Sequence, residues 1–231
     1  MQRISCNIAS VTPLCDTVFK VILTPEHPVQ FQAGQYLTVV MGEEDKRPFS
    51  IASSPVDGSQ LELHIGASVA ESYAMQVIER LNESDSIDVE LPFGDAYLRQ
   101  ESDRPRLLVA GGTGFSYINA IMDTLIAKGD TTTTFLYWGC RDRQAMYLED
   151  KASAWAKQLP HLTFVPVFDQ AQEGARQGTV IDAICSDFIG LGEYDIYIAG
   201  RFEMAGAARE AFRQHGVDEA HLYGDAYAFM K

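Results

Sequence analysis

The chain is predicted to form two domains, an N-terminal antiparallel β-barrel and a C-terminal α/β domain built on a parallel sheet. Three observations carry this prediction. At 231 residues the chain is comfortable for two cores of about 100 residues each. Its first half reads as short strands, several of them separated by Pro- or Gly-containing stretches. Beyond the charged, proline-ending stretch RQESDRP, residues 99–105, strands and helices alternate, which favours a parallel sheet covered on both faces.

In the first domain, strands are expected at residues 4–11, 18–23, 35–41, 49–53, 61–65 and 86–91, all rich in Val, Ile, Thr or aromatics. One helix interrupts them. In ESYAMQVIERL, residues 71–81, Tyr73, Val77, Ile78 and Leu81 recur at helical spacing. Six strands at this rhythm suit a small antiparallel barrel or sandwich. RQESDRP reads as a linker, which bounds the domains at residues 1–99 and 105–231. In the second domain, strands are expected at 107–110, 133–138, 162–167, 196–199 and 221–223. Helices are expected at 116–128, 144–159, 180–187 and 204–215.

Composition narrows the function. The formal charge of −14 argues against nonspecific nucleic-acid binding, which needs a basic face. No apolar stretch nears the ~20 residues that span a bilayer, and the start MQRISCNIASVTPLCD has no long apolar run. Cys6, Cys15, Cys140 and Cys185 form no C-x-x-C pair, and the five histidines no H-E-x-x-H. The expectation is a reduced, cytoplasmic protein with no metal and no membrane contact.

LLVAGGTGFSYINAI, residues 107–121, is a strand, a glycine turn and a helix. The helix start presents unpaired N–H groups and a partial positive charge, which favour a phosphate. Gly111, Gly112 and Gly114 let a ligand approach the backbone; Thr113 and Ser116 add hydroxyls. The loop departs from G-x-G-x-x-G, because Tyr117 stands where the third glycine belongs. At the end of the second strand a dinucleotide fold usually carries an acid for the ribose; here YWGCRDR places Arg141 first. Arg141 can meet a 2′-phosphate or stand as an exposed loop arginine. A second glycine turn, IYIAGRFEMAGAA, follows the fourth strand. All three turns are expected at the carboxyl edge of the sheet, where open α/β sheets bind ligands.

In KRPFSIASSP, residues 46–55, Arg47 is a fixed cation beside Pro48 and Phe49. Phe49 is expected to point away from Arg47 and Pro48 unless a bulge intervenes. A flat heteroaromatic lying along this strand can bond backbone groups and Ser50, with Arg47 at an anionic edge or phosphate. An ordinary edge strand with a solvent arginine fits the residues slightly better.

The ordered set R-P-F-S-x-A-S, G-G-T-G-F-S and G-R-F-E-M resembles the ferredoxin–NADP⁺ reductase superfamily. Within it the chain is similar to the short bacterial NAD(P)H:flavin oxidoreductases of the Fre and LuxG type. LHIGAS at 63–68, LPFGDAYL at 91–98, YWGCR at 137–141 and GDAYAF at 224–229 carry the likeness across the whole chain. The resemblance implies a flavin-binding barrel, a nicotinamide-binding α/β domain, and hydride transfer from nicotinamide C4 to flavin N5 in a shared cleft. It implies that Arg47, Pro48, Phe49 and Ser50 line the isoalloxazine, with Ser50 bonded to N5. His64, Ile65, Gly66 and Ala67 would border its other side, although His64 in an apolar strand also reads as a core histidine. Gly111, Gly112, Thr113, Gly114, Phe115 and Ser116 would hold NADPH or NADH. Gly200, Arg201, Phe202, Glu203 and Met204 would complete that pocket. Asp225 is implied as a proton donor or orienter, though a turn aspartate reads as well. Phe229, and less so Tyr227, would cover a flavin face.

Relatives that keep FAD permanently add a platform for its AMP half and often carry C-G-x-x where this chain reads GRFEM. The departure implies a flavin (FMN, riboflavin or FAD) that leaves as a substrate. The reduced flavin would then serve a flavin-dependent monooxygenase, a luciferase or ferric complexes, and the protein would be a monomer or weak homodimer. The rival readings are a reductase with tightly bound flavin passing electrons to a protein, and a non-catalytic sensor of NAD(P)H.

Overall fold

A computed structural model describes residues 1–67 and 72–230. Ser68 of the LHIGAS motif, Glu71 of the expected helix and Lys231 lie outside the described residues. The chain divides into two units, Met1–Leu98 with Asn119–Gly129, and Arg99–Ile118 with Asp130–Lys231.

The first unit holds β1 (Gln2–Cys15), β2 (Val18–Pro25), β3 (Tyr36–Gly42), β4 (Asp45–Ser50), β5 (Leu61–Gly66), α1 (Ser72–Asn82) and β6 (Ser86–Phe93). Their order is β4-β3-β6-β1-β2-β5, with every pair antiparallel. An isolated bridge from Ile51 to Leu63 joins the chain beyond β4 to β5 and closes the sheet into a barrel. Closure removes the exposed edges that an open sheet would present. Leu37, Val39, Leu61, Leu63, Ile65 and Val89 alternate with more exposed neighbours and fill the interior. Helix α1 adds Val77, Ile78 and Leu81 to that core, as its spacing predicts.

The strand expected at 49–53 is displaced. Asp45–Ser50 pairs with β3 as a hairpin, and Ser53 instead accepts the Glu62 N–H through its hydroxyl. The only β3–β4 register shift falls between Val40 and Gly42, before Arg47. Arg47 and Phe49 therefore share a face, and the expectation that Phe49 points away from Arg47 is corrected by the two-residue period. Segment Asn119–Gly129 is held to the unit by Asn119 Nδ2, which donates to the Ala52 carbonyl at 2.8 Å, and by Ser54 and Thr124 hydroxyls 2.9 Å apart.

The second unit is built on β7 (Arg106–Gly111), β8 (Thr134–Cys140), β9 (Leu162–Phe168), β10 (Arg176–Gln177), β11 (Asp195–Ala199) and β12 (Leu222–Tyr223). The order is β10-β9-β8-β7-β11-β12, all parallel. Its helices are α3 (Glu149–Gln158), α4 (Val180–Asp187) and α5 (Phe202–Gln214), and α2 (Phe115–Ala127) begins in this unit and belongs to the first from Asn119 on. The central strands are buried almost throughout, so they read as continuous apolar runs such as LLVA and IYIA. The helix expected over 144–159 begins later. The Asp142 carboxylate accepts the Ala145 N–H and caps a short 3₁₀ turn, and Met146 then leaves helical geometry (ψ 66°). Two arginines of RQESDRP are tied into the second unit. The Arg99 N–H donates to Tyr197 Oη at 2.9 Å, and Arg104 pairs with the buried Asp195 at 3.2 Å.

Among the described residues, no helix is long and apolar enough to cross a membrane. All four cysteines are unbridged.

Candidate active site

The strand order of the second unit reverses between β7 and β11, whose carboxyl ends lie side by side with Ala110 paired to Ala199. This is the switch point at which open α/β sheets bind ligands. Gly111 ends β7, and Gly112, Thr113 and Gly114 form a single 3₁₀ turn into α2. Gly112 has φ +53°, the left-handed region that favours glycine, and a Cβ there would meet nothing within 4 Å. At Gly114 the reason for glycine is different: a Cβ would stand 2.1 Å from the Ala199 carbonyl oxygen. Gly111 and Gly200 face each other across the switch point, and the Met204 thioether fills the space their missing side chains leave. Two of the glycine turns recognised in the sequence thus meet at one place.

Trp138, at the end of β8, fixes the loop from behind. Its Nε1–H donates to the Gly112 carbonyl at 2.9 Å, and its ring stacks on Phe115 with centroids 3.8 Å apart. No sequence signal pointed to this role. Phe115 and Ser116 are buried, and the Ser116 hydroxyl donates to the Thr113 carbonyl. What these two residues can offer a ligand is backbone, because their side chains are spent on packing and on the turn.

Arg201 caps α5 in extended conformation, followed by exposed Phe202 and Glu203 and half-buried Met204. Phe202 meets Phe229 edge to face with centroids 6.3 Å apart, and both stay largely exposed. An exposed aromatic pair beside open backbone is a surface suited to a flat ring. Asp225 is half-buried in the first turn of a 3₁₀ segment that runs to Phe229. Burial first, and then the Asp225 carboxylate, hold the fully buried Tyr117 phenol well above its ordinary pKa. Tyr227 packs inward, its hydroxyl donating to the Ala205 carbonyl at 3.1 Å. Arg141 is 81% exposed, with Nε held at 2.8 Å by Asp142. Its neighbour Arg143 donates instead to the Glu173 carbonyl.

In the first unit, Pro48 is exposed and Phe49 and Ser50 are half-buried. Arg47 is not a solvent arginine: it is 6% exposed. Nε and Nη2 donate to the two Asp45 carboxylate oxygens at 2.8 and 2.6 Å, and Nη2 also donates to Gln76 Oε1 at 2.8 Å. Nη1 donates to the Tyr73 carbonyl, and the Tyr73 ring covers the guanidinium at 4.3 Å. The hydrogen bonds from Arg47 hold the Asp45 carboxyl below the usual carboxylate range. Asp45 lies two residues before Arg47 on one strand face, a spacing the sequence displayed and the sequence reading missed. On β5, Ile65 belongs to the core, as does Ala67 just beyond it. His64 is buried 2.7 Å from Glu62, and Gly66 is half-buried.

Among the described residues, no group of three His, Cys, Asp or Glu side chains is placed to hold a metal ion. Residues 108–210 match the family model of the oxidoreductase NAD-binding domain. The chain is 47% identical to a protein of Vibrio harveyi named NAD(P)H-flavin reductase, over 99% of this chain and all of that one. Its fold matches the crystal structure of a cytochrome P450 reductase from Amycolatopsis, with TM-score 0.88 and 24% identity over 97% of this chain and 69% of that one. It also matches the structure of a ferredoxin NADP⁺ reductase from Neisseria gonorrhoeae, with TM-score 0.79 and 16% identity over 94% of this chain and 92% of that one. The likeness to solved structures establishes the two-part fold, and the near full-length identity establishes the family: the chain belongs to the NAD(P)H-flavin reductases.

Proposed function

We propose that the protein is an NAD(P)H:flavin oxidoreductase that takes flavin as an exchangeable substrate. The observation that carries this reading is the loop at the switch point: Gly112 is held in left-handed geometry with open space where a side chain would stand. That space, and the exposed edge-to-face pair Phe202–Phe229, fit a dinucleotide ending in a ring.

The residues divide by role. Gly111 to Gly114 give the dinucleotide backbone N–H groups, with Thr113 adding a hydroxyl. Phe115 and Ser116 support that loop. Gly200, Arg201, Phe202, Glu203 and Met204 line the nicotinamide end, and Phe229 supplies an aromatic face. Arg141, exposed and held at Nε by Asp142, would meet a 2′-phosphate, with NADPH a substrate beside NADH. In the first unit, Arg47, Pro48, Phe49 and Ser50 hold the flavin ring, and Ser50 donates or accepts at N5. Gly66, flanked by His64, Ile65 and Ala67, borders the ring. Asp225 orients or supplies a proton.

The nicotinamide supplies the hydride and the flavin accepts it; the protein binds, orients and excludes water. FMN, riboflavin and FAD all present the ring, and the released reduced flavin would serve a monooxygenase, a luciferase or a ferric complex. We place the protein in the cytoplasm, as a monomer or weak homodimer.

The test is NADPH and NADH oxidation by purified protein with and without added riboflavin or FMN. Turnover that requires added flavin, and saturates with it, is expected. Turnover without added flavin, given an electron acceptor, replaces this reading with a reductase holding resident flavin. No oxidation under either condition removes the enzyme assignment.

A further inference from the structure

The Arg47 cluster bears on which part of a flavin the protein recognises. A guanidinium has five N–H donors. Four are committed here: two to the Asp45 carboxylate, one to Gln76 and one to the Tyr73 carbonyl. The Tyr73 ring closes one face of the group. Carboxylate and phosphate compete for the same guanidinium fork, because both accept two parallel N–H bonds and carry negative charge.

We propose that Asp45 is a specificity-determining residue, occupying the donors of Arg47 so that a flavin phosphate gains no direct contact with this cation. The proposal rests on the reading that flavin lies along β4. A phosphoryl group arriving here would have to displace a carboxylate held by two short charge-assisted bonds, on a chain whose formal charge of −14 already disfavours anions. Riboflavin, which has no phosphate, faces neither obstacle. Asp45 thus levels the affinities of phosphorylated and unphosphorylated flavins, and ring contacts from Pro48, Phe49 and Ser50 decide binding.

The replacement Asp45→Asn removes the charge but keeps the size and one acceptor. Asp45 is 45% exposed at its side chain, at the end of a hairpin strand, so the barrel core is untouched. The test is equilibrium binding of riboflavin and of FMN, followed by quenching of flavin fluorescence in the absence of nicotinamide. In the unaltered protein the two dissociation constants are expected within about threefold of each other. In Asp45→Asn, FMN is expected to bind about tenfold more tightly, in a salt-sensitive manner, with riboflavin little changed. Asp45→Glu retains the carboxylate and is expected to restore the original ratio.

An unaltered protein that prefers FMN by tenfold or more overturns the proposal. So does an Asp45→Asn protein whose FMN-to-riboflavin ratio stays where it was. If the unaltered protein binds neither flavin, it is the reading of the flavin site that fails, and with it the basis for Asp45.

Discussion

Replacing Gly114 with alanine separates packing from binding at the switch point. A Cβ at Gly114 would sit 2.1 Å from the Ala199 oxygen and 2.4 Å from its carbonyl carbon. The first distance falls about 1.3 Å short of the 3.4 Å at which ordinary contact begins. The obstacle is backbone at the end of β11, and it cannot rotate away as a side-chain tip can. Either α2 or β11 must shift, and both are anchored in the core through Ile118 and Ile198. Overpacking of this kind costs about 3 kcal/mol. For a chain of this size that lowers Tm by about 6–12 °C. The comparison is Gly112→Ala, whose Cβ meets no atom within 4 Å and pays only for its φ of +53°. That strain costs about 1 kcal/mol, so its Tm should fall by about 2–4 °C. Its NADPH affinity, measured by titration calorimetry, should fall about tenfold if the nucleotide occupies the open space at Gly112, which the new methyl group would fill. Differential scanning calorimetry on both variants checks the stabilities. An unchanged Tm in Gly114→Ala refutes the packing argument, and an unchanged NADPH affinity in Gly112→Ala refutes the placement of the nucleotide.

Ser50→Ala should cut turnover by about tenfold or more while the KM for NADPH moves less than about twofold; steady-state kinetics at saturating flavin reads both. Arg141→Ala should raise the KM for NADPH about fivefold and leave NADH unaffected, and equal effects on both cofactors would remove Arg141 from the 2′-phosphate. Asp130→Asn should destabilise the second unit by about 3 kcal/mol at neutral pH, since it leaves the 1%-exposed Arg106 without its bidentate partner; urea unfolding measures it. Burial raises the Asp130 pKa, but the Arg106 guanidinium and the Thr132 N–H together bring it below 3.8. A depressed carboxyl pKa stabilises fully above its unfolded value and loses that stabilisation as pH falls through the folded one. The unaltered protein should therefore lose this contribution below about pH 3.8, and Asp130→Asn should lack that part of the acid dependence.

What could be read from the sequence divides along a physical line. Strands β7 and β11 were legible because a buried parallel strand must be apolar throughout, and LLVA and IYIA have no other easy home. The glycine turns after them were legible because only glycine tolerates both the φ of Gly112 and the carbonyl contact of Gly114. The late start of α3 was not, because it depends on one carboxylate, Asp142, accepting one N–H across three residues. The Arg47 cluster shows the same limit more sharply. Asp45 stands two residues from Arg47, so a strand period already places them on one face. Tyr73 and Gln76 lie in α1, some 30 residues on, and only the folded chain brings them to the same guanidinium. Sequence periodicity reports which face a residue occupies, and it says nothing of which distant donors that face meets. An arginine beside an aromatic on a barrel strand therefore read either as an anion site or as a solvent arginine on an edge strand. Folding turns it into a covered cation paired with a carboxylate.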